Sequence, residues 1–496
     1  MPGALTKLPV ELHTAILNYL QAQCQDYNAE RDAPILTLFP CNAASVCRLW
    51  RDILGKMLTP DRWKKVVFDV AHEPALLDAF SWTMNMKKIE VVVYNSSSGS
   101  GTDKGHEKRR VAAIVSALRP HMQRFKAIVF DVEYSSSLPP PNTFFLEEAL
   151  FVELRLSSRI DDIDIRAETF GMTLDKSWPP FETYFPRLRV LSLTGFWFMY
   201  LALHVPDPGW FRELQETSWP LDLTVSHFTF LPHGNYTLEK LISLLSQLDL
   251  ARISFRDLSL SPFHDAQSAP STGTSHPKVS SIHFENVSRD FISHFYSLAP
   301  ITVFHQLSFE RCSIPTITDV LNVQTLKLKG IIDNDDDHSE GQASSLRHII
   351  SAWRGIHLII DTCPSFDDAL LAWMGSEIEF TSIGSSDSNP NKVYSAFPAR
   401  GIVNLTIQDC SNFTPSALQQ LVKKRNTVTP LPLTPAAENQ GREQDAPIRH
   451  LSVFGKVPSL SEEDTRWFGG NSKDMVVNWK VMNDGAVQEN FYLCHI

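Results

Sequence analysis

The residues most able to do chemistry sit in two loops. Between an extended apolar run, Ile89 to Tyr94, and a helical pattern, Glu107 to Leu118, stand Gly99, Gly101 and Gly105, and a second extended run, Phe125 to Asp131, ends on an acid. Strand, glycines, helix, strand and acid is the order of a dinucleotide site, in which glycines let a pyrophosphate approach a helix N-terminus. Here the glycine spacing is wrong for that role, and the serine-rich loop is too long for a tight turn. Neither Gly99 nor Gly101 leads into the Gly-Lys of a phosphate loop. Asp333, Asp335 and Asp337 alternate like calcium ligands, but His338 stands where such a loop needs glycine and Ser344 where it needs glutamate. A solvated acidic loop is expected there. HExxH, GxSxG and close Cys/His clusters are absent. The expectation is a protein that is not an enzyme and holds no metal and no cofactor.

Composition narrows the partners. The 496 residues are 43% hydrophobic and 20% charged, the balance of a folded chain long enough for a large core or for a repeat array. A formal charge of −11 opposes binding to a phosphate backbone, so no nucleic acid is expected. Seven cysteines, without a CxxC pair, fit reduced thiols and a cytoplasmic or nuclear location. No apolar run is long enough to span a bilayer, so no membrane association is expected.

Two short helical patterns open the chain. Leu8, Leu12, Ile16 and Leu20 recur every four residues on one face, with Pro9 in the first turn, where its missing N–H costs nothing. The second run opens at Asn42, a good N-cap, and carries Val46, Trp50 and Leu54 at the same spacing, with Cys47, Ile53 and Met57 beside them. Thr59-Pro60-Asp61 reads as the start of a third helix that includes Trp63. Three helices in so few residues make a thin core, which points to apolar surface left for a partner.

Leu8-Pro9-x-Glu11-Leu12-x-x-x-Ile16-x-x-x-Leu20, followed by Val46-Cys47-Arg48-x-Trp50-Arg51 and by Trp63, resembles the F-box. The resemblance covers only this segment. The connection from Gln21 to Cys41 is longer than the family's usual link. The resemblance implies a helical domain over 1–64 that docks onto a Skp-type adaptor of a cullin–RING ubiquitin ligase. Leu8, Pro9, Leu12, Ile16, Val46, Cys47, Trp50 and Leu54 would then form the adaptor face, some of them holding the helices together instead. A small helical cap on the following domain is the competing reading.

From residue 65 to 496 one pattern returns, apolar-x-x-apolar-x-apolar, as in Phe125/Ile128/Phe130, Leu188/Leu191/Leu193, Leu250/Ile253/Phe255, Val279/Ile282/Phe284, Val323/Leu326/Leu328, Ile402/Leu405/Ile407 and Ile448/Leu451/Val453. The last two residues of each triplet point to one side of a short strand. Helical stretches such as Leu238 to Leu248, Arg289 to Leu298 and Pro415 to Lys424 lie between them. Cys312 and Cys410 each stand three residues past a strand, where a small buried side chain can bond the loop backbone. This resembles irregular, cysteine-containing leucine-rich repeats of the fungal kind, although the asparagine ladder of regular repeats is missing. The fold class expected is therefore α/β, an F-box followed by an irregular solenoid of parallel strands and helices. A layered α/β domain gives the same triplets and stays open.

Polar insertions at Asn95 to Gly105, Tyr134 to Asn142, Ser261 to Pro277, Ile332 to Gly341 and Gly384 to Lys392 each follow a strand, which a solenoid would place on one rim. Thr427 to Ala446 reads as a linker. Met475 to Leu493, around Asn483-Asp484-Gly485, reads as a hairpin that caps the array. Lys108-Arg109-Arg110 and Lys423-Lys424-Arg425 are expected on helix faces, and Phe196 to Tyr200 in the core. The function this supports is a substrate-recognition subunit of a ubiquitin ligase that presents an unknown protein target; a leucine-rich-repeat scaffold without ligase association is the alternative.

Overall fold

The computed structural model describes residues 8–26, 43, 46–57, 65–72, 88–97, 103–144, 152–163, 187–204, 214, 219–261, 278–298, 302–317, 320–331, 345–381, 393–427, 446–470, 475–483 and 486–493. They fall into two compact units, Met1–Phe228 with Gln247–Asp249, and Thr229–Ser246 with Leu250–Ile496. Trp63, Asn42, the glycines at 99 and 101, and Asp333, Asp335 and Asp337 lie outside the described residues. Among the described residues no helix is long and apolar enough to cross a membrane.

The first unit opens with helices α1 (Val10–Asp26) and α2 (Arg48–Met57). Strands β1 (Lys65–Asp69) and β2 (Ile89–Tyr94) follow, then helix α3 (Lys104–Leu118), β3 (Phe125–Tyr134), β4 (Glu153–Ile160), β5 (Val190–Thr194), helix α4 (Gly195–His204) and β6 (Leu221–Phe230). Each strand pairs in parallel with the next in chain order, β1 through β6. Such crossovers are almost always right-handed, so a sheet that grows in one direction keeps its connections on one face. It also lacks the reversal of strand order at which doubly wound sheets form their ligand crevice. Helix α4 carries the run Phe196, Trp197, Phe198, Met199 and Tyr200, all buried as expected for a core segment. The stretch after β3 is no open loop: two 3-10 turns, Ser135–Ser137 and Pro141–Phe144, fold it down, with Ser135, Ser137 and Phe144 buried.

The second unit holds α5 (Leu238–Leu245), β7 (Leu250–Leu260), β8 (Lys278–Glu285), α6 (Arg289–Leu298), β9 (Thr302–Glu310), β10 (Thr325–Lys329), α7 (Ser345–Ala352), β11 (His357–Asp361) and α8 (Asp368–Met374). It continues with β12 (Ile378–Thr381), β13 (Val393–Ala396), β14 (Asn404–Gln408), α9 (Pro415–Asn426), β15 (His450–Gly455), α10 (Glu462–Gly470), β16 (Val476–Asn483) and β17 (Ala486–Leu493). The order β7-β8-β9-β10-β11-β14-β15-β16-β17 again follows the chain. All neighbours are parallel except β16 and β17, which pair as an antiparallel hairpin at the end. Strands β12 and β13, on either side of the 384–392 insertion, pair antiparallel in a separate two-stranded sheet.

Burial alternates along these strands. In β10, Leu326 and Leu328 are fully buried while Thr325, Lys327 and Lys329 stay half exposed; β14 repeats the pattern, and β11 does so up to Asp361, which is buried. On the inner side Phe255, Phe284 and Phe309 stack from strand to strand, with ring centroids 5.5 and 5.2 Å apart. Polar side chains start the helices on that side: the Thr237 hydroxyl accepts from Lys240 N, and that of Thr414, just before Pro415, accepts from Ala417 N.

A turn recurs directly after the strands. Asn286, Arg311, Gly330, Thr362 and Asp409 all have φ between 50° and 55°. Each donates its backbone N–H to a strand-end carbonyl of the next strand: Asn286 to Glu310, Arg311 to Lys329, Gly330 to Asp361, Thr362 to Gln408 and Asp409 to Phe454, over 2.8 to 3.0 Å. The following side chains, Val287, Cys312, Ile331, Cys363 and Cys410, then drop into the core. Left-handed backbone costs a non-glycine residue roughly 1–2 kcal/mol, and the continued ladder offsets it.

Candidate functional site

Pro9 starts the first helix, its carbonyl accepting from Leu12 N (3.1 Å) and His13 N (3.3 Å). Helix α1 then turns His13 and Leu17 inward, onto Trp50, Ile53 and Leu54 of α2, all five buried together with Ala43. The Trp50 indole N–H donates to His13 Nδ1 at 2.8 Å, with the rings edge to face at 6.2 Å and 72°. An indole nitrogen only donates, so Nδ1 is the acceptor and the neutral ring carries its proton on Nε2. That Nε2 is buried without a hydrogen-bond partner among the described residues.

The eight side chains expected to face a partner divide accordingly. Leu8 (36% exposed), Leu12 (49%), Ile16 (36%) and Val46 (52%) remain at the surface, with Pro9 also exposed and Cys47 half buried. Trp50 (8%) and Leu54 (0%) are not at the surface: they make the contact between α1 and α2. The reason is helical geometry. Residues 13 and 17 lie about 100° around the helix from 12 and 16, so α1 cannot direct both pairs inward, and the indole finds its acceptor on His13. The sequence pattern missed His13 because a histidine does not register in an apolar stripe. Val10 and Tyr19 add to the exposed apolar surface of α1.

The glycine-bearing loop ends in a helix terminus already supplied with carboxylates. Helix α3 starts at Lys104, earlier than the pattern suggested, and the Asp103 carboxylate accepts from Gly105 N at 2.9 Å. Glu107, fully buried in the first turn, accepts from Asn95 Nδ2 (2.6 Å), Glu133 N (2.9 Å) and Tyr134 N (3.0 Å), tying the helix to the ends of β2 and β3. Two acids where a pyrophosphate would need bare N–H donors make the position repulsive to phosphate. Arg110 of the expected basic face is partly turned in, donating to the carbonyls of Val70 (2.7 Å) and Ala71 (2.8 Å).

The thiols are structural in their surroundings. Cys312 donates to the Glu310 carbonyl at 3.2 Å and Cys410 to that of Gln408 at 3.2 Å, the loop bonding expected of their position. Cys363 repeats the arrangement, donating to Asp361 O at 3.4 Å. Burial pushes these thiols up, to about 11 for Cys312 and Cys410 and about 12 for Cys363, so they stay protonated donors and poor nucleophiles. Among the described residues no group of three or more His, Cys, Asp or Glu side chains is placed to hold a metal.

Arg425 overturns the expectation for the second basic cluster. It is buried rather than on a solvated face, its guanidinium donating to the carbonyls of Ala399 (3.1 Å) and Pro398 and lying 5.4 Å from the Phe397 ring centroid. The carbonyls of Pro398 and Ala399, the latter also accepting from Ile402 N at 3.1 Å, give the buried cation its acceptors and hold it inward. Compared with known proteins, no family model matches the chain and no curated protein matches its sequence.

Proposed function

We propose that the chain is a non-catalytic substrate-recognition subunit of a Skp–cullin–F-box ubiquitin ligase, its F-box-like helices joined to an irregular leucine-rich-repeat array. The observation that carries this reading is the set of exposed apolar side chains Leu12 and Ile16 on α1, with Leu8 just before α1 and Val46 just before α2, while the contact between the two helices is filled by His13, Leu17, Trp50, Ile53 and Leu54. A helix that leaves such side chains to water is built for a partner. The one-way strand order and the repeated strand–turn unit support the array. Such a protein makes no bonds; it holds a target near the ubiquitin-carrying enzyme and raises effective concentration.

The test is co-purification of the full chain with a Skp-type adaptor. Burying the free halves of Leu12 and Ile16 would contribute about 1.3–2.5 kcal/mol, so Leu12→Ala/Ile16→Ala should weaken binding roughly tenfold to sixtyfold with unchanged thermal stability. An adaptor bound equally well by this variant would remove the stripe from the interface.

A further inference from the structure

We infer that the outward face of helix α3, with the turn that follows it, binds a short acidic helix of another protein. The inference concerns the helix side of the first unit and does not rest on the ligase reading. Residues 103–126 hold seven lysines and arginines against two acids, in a chain whose net charge is −11. Both acids are engaged within the fold: Glu107 is buried beneath its three donors, and Asp103 caps the first turn. Val111, Ile114, Val115 and Leu118 turn inward, so the helical period leaves Lys104, Lys108, Arg109, Ala112 and Ser116 outward. Pro120 opens the 3-10 turn Arg119–Arg124 at the end of the helix, and Arg119, Gln123 and Lys126 stay exposed there.

A solvated helix face ordinarily mixes signs, because opposite charges four residues apart stabilise it. This one does not. The exposed positions of α3 carry no acid. Lys104 stands in the first turn, where the helix dipole disfavours a cation, and Lys108 repeats its charge four residues on. Lys104 reaches Asp162 and Lys126 reaches Glu90 (3.1 Å), but among the described residues no ion pair reaches Lys108, Arg109 or Arg119. The face therefore adds nothing to the fold's own stability, and a partner's carboxylates complement it. Lys108 and Arg109 lie about 15–16 Å along the axis from Arg119, at 1.5 Å per residue. Between them Ala112 and Ser116 rise little above the backbone, which lets a second helix lie close, with axes about 8 Å apart. The patch is also short. A long polynucleotide or a lipid plane would run past it into the field of a chain of net charge −11, whereas a helix of about three turns ends where the cations do.

The full chain is titrated with a fluorescein-labelled peptide of about 15 alanines and glutamates, its glutamates grouped near the two ends to match the span of the cations. Anisotropy should show saturable binding that weakens with salt. Binding should fall at least about tenfold in Lys108→Glu/Arg109→Glu and less in Lys108→Gln/Arg109→Gln. It should stay at the wild-type level in Lys423→Glu/Lys424→Glu, which changes the net charge equally at exposed positions of α9. Ser116→Trp, which keeps every charge and fills the floor, should weaken it as well. Melting temperatures at the wild-type value establish that each variant is folded. No binding by the wild-type chain, equal binding by Lys108→Glu/Arg109→Glu or by Ser116→Trp, or tighter binding of phosphatidylserine vesicles or of a single-stranded oligonucleotide would each overturn the inference.

Discussion

Trp50→Ala separates the core of the N-terminal helices from their surface. The substitution empties a site filled by a buried indole, a loss of about 3–5 kcal/mol for such truncations. It also strands His13 Nδ1, whose donor among the described residues is the Trp50 N–H at 2.8 Å, at a further cost of about 1–3 kcal/mol. Among the described residues, five buried side chains and Ala43 hold this helix pair, so a loss above about 4 kcal/mol exceeds what so thin a core can spare. Hydrogen exchange of the full chain is the assay. Amides of 10–26 and 48–57 should exchange about 10²–10³-fold faster than in the wild type, while those of β11 and β14 keep their protection. Trp50→Phe, which keeps most of the ring area and loses the N–H, should give about a tenfold effect. Unchanged protection of α1 in Trp50→Ala would refute this account of the packing.

Other expectations follow from single contacts. The His283 ring, and then the Arg256 and Arg311 guanidinium groups, hold the Glu285 carboxyl down at about 2. Because its folded value is depressed, its stabilisation is present above its ordinary value near 4.5 and is lost as pH falls from there to 2. With both arginines about half exposed, it is worth about 1 kcal/mol after screening; Glu285→Gln should lower the urea midpoint at pH 6 and converge with wild type near pH 2. Arg425→Met should cost about 1–3 kcal/mol, chiefly through the Pro398 carbonyl left without its guanidinium donor, since the Ala399 carbonyl keeps Ile402 N, read as a lowered melting temperature that Arg425→Lys only partly restores. Thr362, a β-branched residue at φ 51°, should be improved upon by Thr362→Asn, with a gain of about 0.5–1 kcal/mol in denaturant titration.

Periodicity made the strands legible because both members of a pair such as Leu326 and Leu328 bury on the same side. Strand β11 escaped the triplet pattern for a definite reason. The apolar residue expected ahead of Leu358 and Ile360 is replaced by Gly355, where a Cβ would collide with the backbone carbonyls of Val323 and Gln324. With that strand went Cys363, which otherwise matches Cys312 and Cys410. The hairpin of β12 and β13 and the inward Arg425 depend on contacts between distant segments, which spacing does not encode. At the N-terminus, the pattern placed Leu12, Ile16, Trp50 and Leu54 in one set. Only the pairing of Trp50 with His13, 37 residues apart, sorts the last two into the core.

The central claim meets its most direct test in affinity purification of the intact chain, co-expressed with a Skp-type adaptor. The account predicts a stoichiometric complex with the wild-type chain that is lost in Leu12→Asp/Ile16→Asp, while hydrogen exchange in α1 and α2 stays at wild-type levels. A folded wild-type chain that retains no adaptor would contradict it and leave a repeat scaffold with an exposed helical cap.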